Sequence, residues 1–210
     1  MTALAHEVMP VTTDDKPTSG LGLDEILWQA WKAMELPEGY QAEIIEGSIE
    51  VSPTGRRRHG VLINRFRRAL EAYLEGGDFA AYQEINVIRG RKSWIPDLFV
   101  APLDLDEIPD EEDLGVDAAG VVMVVEVVSP GNRNTERDRI RKRREYARAG
   151  IELYVLVDDF DGEGTVSLLT CPDSEKATYT DEHRVPYGAD AVIADGPAKG
   201  FVIGDSITRS

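Results

Sequence analysis

The 210-residue sequence is short of several groups on which common protein chemistries depend. It contains one cysteine, Cys171, which excludes an intramolecular disulfide and every cysteine-based structural zinc pattern. No two of its three histidines (His6, His59 and His183) are closely spaced, which disfavours a histidine-built zinc site. No glycine-rich loop ends in Gly-Lys-Ser/Thr and no G-x-G-x-x-G follows a strand pattern, so an ATPase or dinucleotide enzyme is disfavoured. Ser52 and Ser129 lack the surroundings of a nucleophile elbow. The longest apolar run, Gly120 to Val125, is far too short to cross a bilayer. The first residues lack the basic start and apolar stretch of a signal peptide, so a soluble cytoplasmic protein is expected.

Positive charge is scarce as well. Twenty-three basic residues face 39 acidic ones, a net charge of −16, which argues against a generic polyanion-coating or membrane-surface protein. The charge is unevenly placed, however. Residues 1–55 and 149–210 each carry −8, whereas residues 56–148 are neutral and hold 17 of the 23 bases. The central bases cluster at Arg56–Arg68, at Arg89–Lys92 and between Arg133 and Arg148, while eight central acids lie between Asp104 and Asp117. Binding responds to local rather than summed charge, so nucleic acid stays open as a partner.

With 42% hydrophobic and 30% charged residues the chain can bury a core, and its length suits one domain. Residues 1–20 read as a mobile tail and residues 21–210 as a single domain. Leu23, Ile26, Leu27 and Ala30 recur at helix spacing. Gln41–Ile45 and Ser48–Val51 flank Glu46-Gly47 as a tight β-hairpin. Residues 56–75 form the clearest helix, with Val61, Leu62, Phe66, Ala69, Leu70 and Tyr73 on one face. Phe79–Ile88 and Trp94–Ala101 read as strands around the polar segment Arg89–Ser93, and Pro102–Ala119 as an acidic loop. Val121–Val128 is an almost unbroken β-branched run, suited to a central strand. Thr135–Ala149 then reads as a basic helix ending at Gly150, and Ile151–Val157 as another buried strand. Strand, helix and strand within this span predict a βαβ crossover and an α/β core, with a peripheral antiparallel extension from later segments near 166–193.

The strongest chemical anomaly is Glu126, a carboxylate inside Val124-Val125-Glu126-Val127-Val128. A buried carboxylate must be paired, protonated or bound to metal, unless the strand opens to solvent at Ser129. Asp97 begins another apolar strand after Pro96, and two carboxylates on adjacent strands can converge on a divalent cation. Such an ion lowers the pKa of bound water and offsets charge developing on a phosphoryl oxygen. Glu43 is a third candidate, with Glu46 and Glu50 as competing acids and an exposed strand position as its plain reading. Asp138, Lys142 and Tyr146 lie at i, i+4 and i+8 on one helix stripe. Lys142 could reach the strand end, although its arginine neighbours also fit a solvated basic face. His59, after Arg56-Arg57-Arg58, sits near a helix start and could bind phosphate or act as a surface histidine.

These stretches together resemble the restriction endonuclease family of the Uma-two type, a branch of the PD-(D/E)xK nuclease superfamily. The matching passages are Tyr40-Gln-Ala-Glu43-Ile-Ile-Glu-Gly47, Ser52-Pro53 with His59 downstream, and Ile95-Pro96-Asp97-Leu98. Most specific is Val125-Glu126-Val127-Val128-Ser129-Pro130, followed by Asp138, Lys142, Tyr146, Gly150, Tyr154 and Asp158. The resemblance spans roughly residues 23–190 and implies a restriction-endonuclease-like mixed central β-sheet flanked by helices. It implies Asp97 and Glu126 as ligands of Mg²⁺ (or Mn²⁺ as a substitute), with the Val127 carbonyl a third. It also implies Glu43 and Lys142 as further catalytic residues, with Tyr146 supporting the site one turn beyond Lys142. Substrate contacts are expected from His59, Arg57, Arg58 and Tyr146. The superfamily's lysine two residues after the acid is absent, because Val127-Val128 follows Glu126, and Lys142 would replace it from the helix. The activity implied is metal-dependent endonucleolytic cleavage of DNA, with a homodimer expected for a double-strand cut. The alternative is a catalytically inactive nuclease-fold module for binding or assembly, which net −16 favours.

Overall fold

A computed structural model of the protein describes residues 22–53 and 55–209; the N-terminal tail lies outside the described residues. The first helix, α1 (Leu23–Lys32), packs on a hairpin of β1 (Tyr40–Ile45) and β2 (Ser48–Pro53). It does not bury the stripe its spacing suggests. Leu23 and Ile26 are exposed, and Trp28 is the residue driven inward, stacked on Trp31 at 5.1 Å. Two indoles bury more area than the aliphatic stripe, and both N–H groups find acceptors, Glu112 for Trp28 and the Ala42 carbonyl for Trp31.

The β1–β2 turn is as short as the sequence indicates. Glu46 (φ 45°) and Gly47 (φ 74°) both occupy the left-handed region that a two-residue hairpin turn of the common twist-matching type requires. Glu46, a non-glycine residue in that region, is tied down by its carboxylate, which Arg144 grips through two bonds of 2.6 Å.

Helix α2 (Arg57–Leu74) follows, then β3 (Phe79–Tyr82), β4 (Val87–Arg89), β5 (Lys92–Trp94) and β6 (Leu98–Pro102). The two long strands expected over 79–88 and 94–101 are therefore each broken in two. The inner halves, β4 and β5, join the hairpin in a five-stranded sheet, while β3 and β6 join a six-stranded one. Pro96 lacks the N–H needed to continue a ladder, and Glu84 takes a positive φ of 59°; both breaks coincide with the passage between sheets. The acidic segment after β6 is mostly exposed, yet it closes with a short strand, β7 (Val116–Asp117), parallel to β4. Buried Asp110 holds its turn by accepting from the amides of Glu112, Leu114 and Gly115.

The central strand β8 (Met123–Val127) leads into α3 (Asn132–Glu136), a π-helical turn (Arg137–Lys142) and α4 (Arg143–Ala149). Gly150, at φ 80°, caps α4 in the left-handed conformation that ends helices. Strands β9 (Leu153–Asp158), β10 (Thr165–Asp173) and β11 (Thr178–Pro186) complete the larger sheet, ordered β11-β10-β9-β8-β6-β3. β8 and β9 pair in parallel, as a βαβ crossover demands, and the other neighbours are antiparallel. A small pair, β12 (Ala191–Val192) and β13 (Val202–Ile203), precedes the last helix, α5 (Asp205–Thr208). No helix among the described residues is long and apolar enough to cross a membrane.

Alternation along β8 divides the core. Met123, Val125 and Val127 face Leu62, Phe66 and Leu70 of α2, whereas Val124 and Val128 face Tyr146, Ala147 and Tyr154. Glu126 shares the second face, which aims it at the helix carrying Lys142. Phe66→Ala removes a fully buried ring from the first layer, and urea unfolding should show a loss of about 3–5 kcal/mol. At the opposite end of α2, Asp159 accepts from Arg58 Nε and Nη2 at 2.9 and 3.0 Å and from the Tyr187 hydroxyl at 2.7 Å. Burial works against its ionisation, but these bonds hold the carboxyl below its ordinary value. The stabilisation is complete above the unfolded carboxylate pKa and fades as pH falls through the lower folded value. Thermal unfolding of Asp159→Asn should therefore trail wild type at pH 7, with the gap closing progressively below about pH 4.

Candidate active site

The seam between the two sheets opens on a cavity of about 550 Å³. Its wall contains Glu43 from β1, His59 from α2, Asp97 from the Pro96 break, Glu126 from β8 and Lys142 from the π-helical turn. Four of the expected catalytic residues thus converge from four separate elements. Lys142 Nζ lies 2.8 Å from Glu43 Oε1 and 2.9 Å from Glu126 Oε1, with 2% of its side chain exposed. Glu43 Oε1 also accepts from the Ile95 amide at 2.8 Å. Glu126 Oε1 further accepts from the Tyr146 hydroxyl at 2.5 Å. Asp97 Oδ2 accepts from His59 Nε2 at 3.0 Å and from the Val127 amide at 2.7 Å, while its main-chain carbonyl accepts from Gln83.

Burial and charge set the protonation of this group. Burial pushes the Glu126 carboxyl up to about 8; Lys142 opposes the rise, while Asp97, Asp138 and Glu43 add to it. Burial alone would discharge Lys142, yet Glu126 and Glu43 raise its pKa above the ordinary lysine value and keep the ammonium protonated. Burial likewise disfavours the His59 imidazolium most strongly of any single influence, but the hydrogen bond to Asp97 together with the charges of Asp97, Glu126 and Asp138 raises the pKa. Against its own burial, Asp97 is held below its usual range by that bond together with the charges of His59 and Lys142 and the Val127 amide. Gly55 keeps His59 in place: a Cβ there would lie 2.3 Å from His59 Nδ1, and the ring is pinned by Asp97.

The expected substrate contacts are divided. His59 lines the cavity, but its ring serves Asp97. Tyr146 is fully buried and reaches the cavity through Glu126, so it positions that carboxylate instead of meeting a ligand. Arg57 is exposed at the start of α2, outside the cavity wall, and the Arg58 guanidinium is turned to Asp159 and the Thr208 carbonyl. Arg56, Arg67, Gln83 and Arg137 line the cavity without having been singled out from sequence. Gln83 falls where a strand was expected to run straight through. Arg137 sits one residue before Asp138, a spacing at which side chains of a regular helix do not face each other.

Two oxygens of the acid pair, Asp97 Oδ1 and Glu126 Oε2, accept no hydrogen bond from the described residues. Hard carboxylate oxygens facing a polar cavity, with Asp97 20% exposed, fit Mg²⁺, which needs one or two carboxylates and otherwise keeps water or phosphate. Among the described residues no set of three or more His, Cys, Asp or Glu side chains forms a cation cage.

A mixed sheet with acids at the ends of neighbouring strands, and a lysine supplied from the crossover helix, places the protein among restriction-endonuclease-like α/β folds. A crystal structure described as that of a putative nuclease belonging to DUF820, from Anabaena variabilis ATCC 29413, is similar, with a TM-score of 0.64 and 16% identity. The match covers 87% of this chain and 96% of that one. The chain belongs to the Uma2 family, described as "Putative restriction endonuclease", whose model matches residues 28–188. No curated protein matches the sequence.

Lys142→Met would strand two buried carboxylates. Urea unfolding should show a loss of about 3–5 kcal/mol, only part of it recovered when Glu126→Gln is added, because Glu43 still lacks its cation.

Proposed function

We propose that the protein is a Mg²⁺-dependent endonuclease that hydrolyses phosphodiester bonds of DNA. The observation that carries this reading is the convergence of Glu43, Asp97, Glu126 and Lys142 on one cavity within a Uma2-family fold. Asp97 Oδ1 and Glu126 Oε2, with the Val127 carbonyl, would hold the cation. When bound, Mg²⁺ supplies an acidified water and a counter-charge for the phosphoryl oxygens. The chain's own residues do the positioning. Lys142, held protonated between Glu43 and Glu126, presents positive charge where negative charge develops during attack. His59 and the Val127 amide orient Asp97 so that its other oxygen points to the cavity. Tyr146 does the same for Glu126 from the dry side. Cutting both strands of a duplex would call for a two-fold dimer.

A non-cleaving module is the second reading, favoured by the engagement of Lys142 in two buried ion pairs. Plasmid cleavage decides between them. Wild type with Mg²⁺ should nick or linearise DNA, and Asp97→Ala and Glu126→Ala should each lose activity by orders of magnitude. Activity unchanged in both variants would remove this site from the reaction. A calorimetric Mg²⁺ or Mn²⁺ signal abolished by Asp97→Asn would count against the non-cleaving module.

A further inference from the structure

Five basic side chains line the cavity: Arg56, His59, Arg67, Arg137 and Lys142. Lys142 is held by Glu43 and Glu126, His59 by Asp97, and Arg67 by Glu71, while Arg56 is exposed. Arg137 differs from all of them. Its side chain is 13% exposed, and its guanidinium is only partly used: Nε donates to Asp138 Oδ1 at 2.8 Å and Nη2 to Oδ2 at 3.4 Å. No described group takes Nη1, and that atom is not among the sealed polar atoms that lack a partner. One edge of the fork is fixed, while the other is unpaired among the described residues and not sealed, in a side chain that lines the cavity.

Burying a guanidinium is costly without a counter-charge, and here the counter-charge is Asp138, wholly buried and adjacent in sequence. In a regular helix, neighbouring side chains diverge and could not pair in this way. The pair opens the π-helical turn over Arg137–Lys142, and such turns concentrate at functional sites. Glu43 and Glu126 line the same cavity as Arg137. Those acids repel a phosphodiester, so a fixed cation beside them has a purpose that packing does not supply.

We propose that Arg137 forms a phosphate subsite, donating from Nη1 to a non-bridging oxygen of a substrate phosphate while Asp138 fixes its other edge. The subsite deepens the nuclease reading and rests on it for the identity of the substrate. Lysine cannot replace it, because a single ammonium lacks the two-edged fork.

The test is fluorescence anisotropy of a labelled DNA oligonucleotide in EDTA across a salt series, for wild type, Arg137→Lys and the charge-balanced double variant Arg137→Gln/Asp138→Asn. Both variants should bind about tenfold more weakly, with the slope of log affinity against log salt reduced by about one. Calorimetric Mg²⁺ binding should stay unchanged. Unaltered affinity and slope in both folded variants, or no binding by wild type, would overturn the subsite and leave Arg137–Asp138 as a structural pair. Arg137-dependent binding by a wild type that never cleaves with Mg²⁺ would keep the subsite and overturn the nuclease reading. Cleavage by wild type with a KM indifferent to both substitutions would do the reverse.

Discussion

One ammonium group holds the site together. Lys142 comes from the crossover helix, Glu43 from the five-stranded sheet and Glu126 from the six-stranded sheet, so a single buried cation joins three bodies of secondary structure. Three ionisable groups this far from water would be destabilising in any arrangement that left one of them without a partner. The hydrogen bonds from Ile95 and Tyr146 to the two carboxylates satisfy lone pairs that the ammonium does not reach. Everything else at the seam is arranged around that constraint, including the π-helical turn from which Lys142 and Arg137 reach the cavity.

Part of this was legible in the residues and part was not, for physical reasons. Turn chemistry is local, so the Glu46-Gly47 hairpin and the Gly150 cap could be read directly. A carboxylate inside a β-branched run is an energetic anomaly, and that anomaly led to Glu126. The breaks at 83–86 and 95–97 depend on which sheet each half-strand joins, a long-range choice announced locally by little beyond Pro96. The burying face of α1 was set by tertiary packing of Trp28 and Trp31 in preference to the aliphatic spacing. The role of Arg137 was hidden because a π turn leaves no periodic signature in composition. Arg58 looked like part of a basic cluster, but its partner Asp159 lies 101 residues away.

Charge shows the same dependence on context. The bases of the crossover helix fit a solvated basic face in sequence, yet most are paired with acids. Arg141 pairs with Glu50 and Glu46, Arg144 and Arg148 with Glu46, Arg143 with Glu182, and Arg139 with Asp158. The acidic flanks in sequence are to that extent the counter-ions of the centre. Among the described residues Arg56, Arg57, Arg68 and Arg89 make no ion pair, and Arg56 stands at the cavity wall. Long-range attraction of DNA would accordingly be weak, leaving recognition to short-range contacts within the cavity.

Two carboxylates at the seam also take the place of missing strand neighbours. Glu43 accepts from the amide of Ile95 and Asp97 from the amide of Val127, where the ladders of the two sheets give out. The proposed chemistry and the chain fold would therefore depend on the same atoms. A substitution that deletes either side chain orphans a backbone donor, whereas an isosteric amide still offers an oxygen to receive it. Asparagine at 97 or glutamine at 43 would therefore cost the fold far less than alanine at either position.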